Sequence, residues 1–509
     1  MLSVLIWLPV VGALLVGLWP GACAARLRSI ALAFATAGVL WSAWLLRQFD
    51  PTQPGMQFVE FIPWIAPVGL HYSLGADGLS LPLMALNSLL IWIAIYSNAY
   101  SGERPGLYYG LLLLAGGGMA GAFAAQNLLL FFLFYELELL PFYLLIFLWG
   151  CSDKRGYAAM KFLIYTAVSG FLILGAFLGL VLLDGSSSFA YGEQSTAALP
   201  LITQLILLTM LLIGFGIKIP LVPLHTWLPD AYCEASPPVA ILLGGVLAKL
   251  GAYGLLRFGL GLFPETWALV APGLATIGAV TAVYGALSAI AQRDIKRMVA
   301  YSSIGHMGYI LLAAAAATPL SLLGAMLQMV SHGLILAILF HLVGVVEAKV
   351  GTRDLDVLNG LMNPIRGLPM VSALLVLGGM ASAGIPGLVG FVAEFLVLQG
   401  SFAAFPVQTI LCVVCSGLTA VYFVILLNRT CFGRLDNATA YYPPVRWIER
   451  TPALILAGII LVLGIQPDWL SRWSEATAQA MVTPIQSAAS QLKKPLPSLR
   501  AAATSFSPN

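Results

Sequence analysis

Nine ionisable side chains fall inside long apolar runs: Glu136 and Glu138 in FFLFYELELLPFY, Lys218 and His225 in IKIPLVPLHTWLPD, Lys249 in GGVLAKLGAYGLLRF, His306 in SSIGHMG, His332 and His341 beyond it, and Glu394 in GFVAEF. A charge placed in hydrocarbon costs about 3 kcal/mol or more on insertion scales, so such residues need a reason to be there. Burial makes the protonation of a carboxylate and a nearby amine interdependent, so a Glu and Lys pair can load and release a proton. Glu136 and Lys218 are expected to form that pair; the alternative is a permanent salt bridge that only fixes helix packing. Lys249 has twelve residues of its run before it and nine after. Snorkelling to either interface would be strained, and a relay is the better reading. The four histidines can donate at one ring nitrogen and accept at the other, which suits proton relay, though each could equally be a neutral packing group. Glu394 is read as the terminal exchanger, with a structural cap as its alternative. Glu138 lies two residues from Glu136, about 200° round a regular helix, and is assigned a secondary role. Asp77 in GADGLSLP is expected to cap a helix.

These residues must be held by membrane helices. Of 509 residues, 60% are apolar and 9% charged, a balance that excludes a water-soluble fold. Apolar runs of about 20 residues, each able to cross the hydrocarbon layer, recur along the chain without the alternation of barrel strands. Fourteen spans are placed near 2–20, 28–46, 79–98, 107–125, 127–149, 160–183, 203–228, 237–258, 268–291, 299–317, 320–346, 369–400, 406–431 and 451–467, with a polar surface tail from about Asp468. The first run lacks a basic leader and reads as a retained span rather than a signal peptide.

Lysine and arginine should gather on alternate loops of a correctly threaded chain. Arg26, Arg28, Arg104, Lys154, Arg155, Lys161, Arg293, Lys296, Arg297, Lys349, Arg353, Arg366, Arg429, Arg434, Arg446 and Arg450, sixteen of the 24 basic residues, fall on odd-numbered loops. The even loops hold Arg47 and Arg257, with Asp50, Glu60, Asp77, Asp184 and Glu193. Both termini are therefore expected on the non-cytoplasmic side.

Spans seven and twelve carry Pro220 and Pro223, and Gly384, Pro386, Gly387 and Gly390. Both should break within the membrane. Broken helices in matching positions suggest two inverted repeats: N-terminal helices over 1–106, a first repeat over 107–258, a second over 268–432, and a last helix with its polar tail over 451–509. Two ordinary proline kinks are the plainer alternative. The six cysteines form no disulfide or metal-binding set, and the CxxC pair Cys412 and Cys415 sits within an apolar helix. The small net charge of +3 carries no nucleic-acid footprint.

The segments FYELELLPFYLLIFLWG, KIPLVPLHTWLPDAYCEASPPVAILLGGVLAKLGAYGLLRF, QRDIKRMVAYSSIGHMG, QMVSHGL and GIPGLVGFVAEF resemble the antiporter-like subunits of complex I over about residues 70–435. The paired glutamates of YELELLP are closest to the D-type branch in the complex I-like NAD(P)H-quinone oxidoreductases of cyanobacterial and chloroplast thylakoids. The resemblance implies a proton-translocating membrane subunit with Glu136 and Lys218 as the charge pair, Lys249 as the central relay and Glu394 as the exit. It implies no cofactor in this chain: NAD(P)H or ferredoxin, iron-sulfur clusters and plastoquinone would belong to partner subunits. The implied partners are other membrane subunits, including neighbouring antiporter-like ones, the lipid bilayer, and a CO2-hydration subunit in the variant complexes tied to CO2 uptake, towards which the short leader points. A subunit of a free-standing cation/proton antiporter is the rival reading.

Overall fold

The computed structural model describes residues 1–492 except 20, 101, 187 and 436–440. In chain order the elements are α1 (Leu2–Gly17), α2 (Ala24–Gln48), β1 (Gln57–Ile65), β2 (Leu70–Ala76), α3 (Ser80–Ser97), α4 (Pro105–Ala124), α5 (Leu128–Leu137), α6 (Leu139–Trp149), α7 (Arg155–Asp184), α8 (Leu201–Lys218), α9 (Trp227–Glu234), α10 (Pro237–Leu242), α11 (Ala248–Gly254), α12 (Pro264–Ile290), α13 (Ile295–Ala316), α14 (Pro319–Val350), α15 (Pro369–Ser382), α16 (Val389–Phe402), α17 (Pro406–Thr430), α18 (Trp447–Ile465) and α19 (Asp468–Leu492). Twelve helical segments among the described residues are long and apolar enough to cross a membrane, α5 with α6 and residues 237–260 each counting as one. The shorter α1, and α15 with α16, bring every one of the fourteen expected segments onto helix.

Helices meet closely where side chains are absent. A Cβ on Gly308 of α13 would stand 2.5 Å from the Gly278 carbonyl oxygen of α12, and one on Gly285 only 2.4 Å from the Gly305 nitrogen. Small residues thus let two backbones touch, which compensates for the weak hydrophobic drive between helices in lipid. α14 carries 32 residues, and every position from Gly324 to Val346 is buried; it is the central post of the second half, against α13, α15, α16 and α18. On the rim, α7 turns residues such as Phe171 and Leu182 outward, as a lipid-facing stripe requires.

Both interrupted spans are present. α8 stops at Lys218, residues 219–226 leave the helix, and α9 resumes at Trp227. α15 stops at Ser382 and α16 starts at Val389, with Gly384 (φ +69°) and Gly387 (φ +90°) in left-handed conformations that only glycine adopts without strain. The chain folds back so tightly here that a Cβ on Gly390 would lie 2.1 Å from the Ala381 oxygen.

Two elements lie outside the sequence reading. β1 and β2 form an antiparallel hairpin, with Phe61 opposite Ser73 and Ile62 opposite Tyr72. Its register is anchored to α5 by Gln126 N donating to Ser73 O at 2.8 Å and by Asn127 Nδ2 donating to Gly69 O at 2.9 Å. The expected polar tail is, over residues 468–492, the helix α19, which packs on α12, α14 and α18; its final residues, 493–509, lie outside the described part.

The basic loops share one face and are stitched together there. Asp230 takes Lys161 at 2.7 Å and Arg297 at 3.4 Å, Arg353 bridges Asp294 at 3.1 Å and Glu347 at 3.4 Å, and Lys349 meets Glu449 at 2.9 Å. The hairpin, the amino terminus, which contacts Glu60, and the start of α19 occupy the opposite face.

Candidate proton-transfer site

In the first half, Asn127 caps α5 by accepting from the Leu129 and Leu130 amides, both at 3.1 Å. α5 ends at Leu137 because Pro141 has no N–H for the Leu137 carbonyl and its ring crowds that oxygen. Glu138, the residue at the join, keeps helical backbone angles (φ −77°, ψ −20°), so α5 and α6 continue one another. Glu138 points inward and forms a fully buried ion pair with Lys218, the last residue of α8. The Lys218 ammonium also lies 3.5 Å from the centre of the Tyr135 ring, a cation–π contact in a desolvated setting. Tyr135 Oη and Ser169 Oγ are 2.8 Å apart, and Ser169 donates to Gly214 O at 2.7 Å, which ties α5, α7 and α8 together around the pair.

This corrects the pairing expected from sequence. Glu138, assigned a secondary role, holds Lys218 directly. Glu136 points to the side of the bundle, half-buried, in a notch at Gly170 where an added Cβ would stand 2.0 Å from its Oε1. It senses Lys218 and Glu138 through space, without a direct ion pair. The two carboxylates lie on different sides of the helix, as a two-residue spacing requires, and it is Glu138 that faces the bundle interior.

Lys249, in the first turn of α11, lies between two π-helical segments, Leu243–Leu247 and Leu255–Leu260. A π turn shifts the backbone bonding to i+5, a device common at functional sites. Lys249 is wholly buried, and its ammonium folds back onto the Gly244 carbonyl. Gly251 lets the end of α8 approach: its missing Cβ would sit 3.0 Å from Lys218 Cβ. On the other side, a Cβ on Gly333 would lie 2.7 Å from Gly245 O, so α14 crosses here and brings His332 into electrostatic reach of Lys249.

The second half gathers around His306. Its ring centroid is 4.9 Å from that of His332, whose two nitrogens have no hydrogen-bond partner among the described residues. His306 Nδ1 lies 3.3 Å from Glu394 Oε1 and 3.4 Å from Gln328 Nε2, and Nε2 lies 3.2 Å from Ser382 Oγ at the end of α15. With a proton on Nδ1 the ring can donate to Glu394; without one it can accept from Gln328. Glu394 also accepts from Ser416 Oγ at 3.0 Å and lies over the break at Gly384. Each interrupted span therefore presents a buried ionisable group, Lys218 or Glu394, beside its break.

The remaining histidines stand apart. His341 Nε2 lies 2.7 Å from Glu449 O, towards the basic face. His225 lies in the first break, its ring 4.6 Å from that of Tyr284. Tyr135, Gln328, Ser382 and Ser416 were missed by sequence reading because neutral polar residues do not stand out in an apolar run. Arg257, read as a loop charge, is instead buried in the second π segment and paired with Asp77, which also caps α3 by accepting from Leu79 N and Ser80 N at 3.1 Å. Its signal was available: it lies eight residues beyond Lys249, near the same helical stripe. Among the described residues no group of three or more His, Cys, Asp or Glu could hold a metal, and Cys412 and Cys415 are buried in the packing of α17.

A bundle with two interrupted helices, joined through its middle by buried carboxylates, lysines and histidines, has the architecture of an antiporter-like membrane subunit. The chain belongs to the family described as NADH:quinone oxidoreductase/Mrp antiporter, TM, which matches residues 125–419. It is 39% identical to NAD(P)H-quinone oxidoreductase chain 4 1 of Synechococcus sp. (strain JA-2-3B'a(2-13)), over 96% of this chain and 93% of that protein. Among solved structures, a chain of respiratory complex I from Thermus thermophilus with bound NADH superposes with a TM-score of 0.86 at 29% identity, covering 95% of this chain and all of the other. A chain of the Mrp complex from Dietzia sp. DQ12-45-1b shares the fold, with a TM-score of 0.85 at 22% identity over 96% and 98% of the two chains.

Proposed function

We propose that this protein is the D-type, proton-translocating subunit of a complex I-like NAD(P)H-quinone oxidoreductase and carries no redox centre of its own. The observation that carries this reading is the buried Glu138–Lys218 pair at the end of a broken helix. An ion pair taken out of water is rarely a good source of stability, but it is a natural store for one exchangeable proton. When a proton or a nearby charge neutralises Glu138, Lys218 loses its counter-ion and sheds its proton towards Lys249. His332 and His306 then pass it to Glu394. Glu136, at the side of the bundle, is the group through which a neighbouring subunit biases the pair, and His225 and His341 stand near the margins of this path.

Electrons would enter from NAD(P)H or ferredoxin and reach plastoquinone through iron-sulfur clusters held by partner subunits. The partners include other antiporter-like chains and, in a CO2-uptake variant, a CO2-hydration subunit. The basic face is taken as cytoplasmic and the hairpin face as lumenal, in a thylakoid membrane. Residues 107–258 and 268–432 would act as two inverted repeats, each with one broken helix. A free-standing cation/proton antiporter would share this fold; the 39% identity to an oxidoreductase chain favours the redox-driven complex.

The test is proton uptake measured alongside quinone reduction by the complex in liposomes, with wild-type or Lys218→Met protein. Loss of pumping from an assembled complex is expected. Unchanged pumping at an unchanged redox rate would leave the pair a structural role only.

A further inference from the structure

The Asp77–Arg257 pair has no part in the path above, yet it sits at its edge. Both residues are buried, Arg257 at 4% and Asp77 at 1% exposure. One guanidinium nitrogen, Nη2, donates to both carboxylate oxygens, at 2.7 and 2.6 Å. The rings of Tyr191 and Tyr253 flank the cation, their centres 5.8 and 5.4 Å from its carbon. Its Nε has no hydrogen-bond partner among the described residues, although a guanidinium offers five donors. The pair also borders a cavity of about 250 Å³ on the hairpin face, whose other walls include Met56, Thr477 and Met481.

α19 roofs this place. Gly78, next to Asp77, donates to Thr477 Oγ1 at 3.0 Å and accepts from Ser474 Oγ at 2.7 Å. The approach leaves no room for a side chain: a Cβ on Gly78 would stand 2.0 Å from Trp473 O. Beneath the roof, Lys249, Tyr253 and Arg257 follow one another at intervals of four residues. At a rise of 1.5 Å per residue they span about 12 Å of one helical stripe. The stripe runs from the buried lysine to the cavity.

We propose that Arg257, anchored by Asp77, is a gate between Lys249 and the hairpin face. A fixed cation in a narrow polar passage repels a proton without binding one, as arginines do in water-selective pores. The guanidinium keeps its charge throughout, and Asp77 holds it in place. While the pair is closed, a proton on Lys249 can leave only towards His332; displacing Arg257 opens a second way out, under α19. Arg257 is thus a positioning and barrier residue rather than a carrier, and the inference rests on the reading of Lys249 as a relay.

The test uses the whole complex in liposomes with no electron donor present and follows the collapse of an imposed pH gradient per assembled complex. Arg257→Gln is expected to speed the collapse several-fold, and adding Lys249→Met is expected to return it to the wild-type rate. Asp77→Asn keeps a side chain able to cap α3 while loosening the arginine; it should leak less than Arg257→Gln but more than wild type, and it carries the test if Arg257→Gln fails to assemble. Wild-type collapse rates in the assembled single variants overturn the gate. So does a leak that persists in the Lys249→Met double variant, because the passage would then bypass Lys249. Neither result bears on the loss of redox-driven pumping expected for Lys218→Met, so the two readings fail separately.

Discussion

Glu136 and Glu138 lie two residues apart, about 200° round the helix, and that difference assigns them distinct work. Removing one side of a buried pair leaves an uncompensated charge and costs about 3–5 kcal/mol. Glu138→Gln is therefore expected to lower the thermal midpoint of the purified complex sharply, and Glu138→Gln with Lys218→Met to recover most of it, a coupling that a double-mutant cycle measures directly. Glu136→Gln, which breaks no direct ion pair, should leave that midpoint near wild type and lower the ratio of protons pumped to electrons transferred. If the two single variants behave alike in both assays, the division between them is wrong. The list of intramembrane ionisable residues was legible in the sequence because each stands out against an apolar run. The partner of Lys218 was not, since an apolar run does not say which side of its helix faces the bundle interior. Arg257 lies inside an apolar run that continues to Phe263, so its burial was legible by the same contrast.

At the scale of elements, the spans and their breaks could be read because hydrophobic length and Pro/Gly punctuation are local properties. The hairpin and α19 could not. The strands of the hairpin alternate poorly: β1 has no buried residue, and Phe61 to Ile65 are exposed without interruption. α19 mixes Arg472, Glu475 and Gln479 with the buried Leu470, Ala478 and Val482, so a search for apolar runs passes over it. The second break offers a sharp check on how such elements are held. Gly390→Ala places a methyl group 2.1 Å from the Ala381 oxygen, and overpacking of this kind typically costs about 1–3 kcal/mol. The expected outcome is a lower unfolding temperature with pumping reduced more than quinone reduction, because the shift displaces Glu394, four residues along. Wild-type behaviour in both assays would mean that the break has more play than its contacts allow.

For the whole molecule, alternating loop charge divides the chain into two faces, and the ion pairs from Lys161 to Lys349 gather the basic loops on one of them. The excess of lysine and arginine supports the proposal that the basic face meets the cytoplasm. Thiol labelling in sealed vesicles of known orientation tests this. Cys23, on the basic side and exposed, should react with an impermeant reagent only from the cytoplasmic side, and a cysteine introduced as Val68→Cys at the hairpin tip only from the other. The reverse pattern would invert the proposed direction of transport while leaving every contact within the chain unchanged.

The two π segments flanking Lys249 carry a further consequence, for how the family can vary in length. Each packs a wider turn than an α-helix of equal height, so each stores slack in the thread of the helix. Elsewhere in a span, losing one residue rotates everything downstream by about 100° and scrambles every contact. Here a lost residue would simply tighten a wide turn into an ordinary one. Such a change would conserve the helix, its neighbours and the direction of the lysine, so a single-residue gap is tolerated beside Lys249 where the same gap elsewhere in the span would not be.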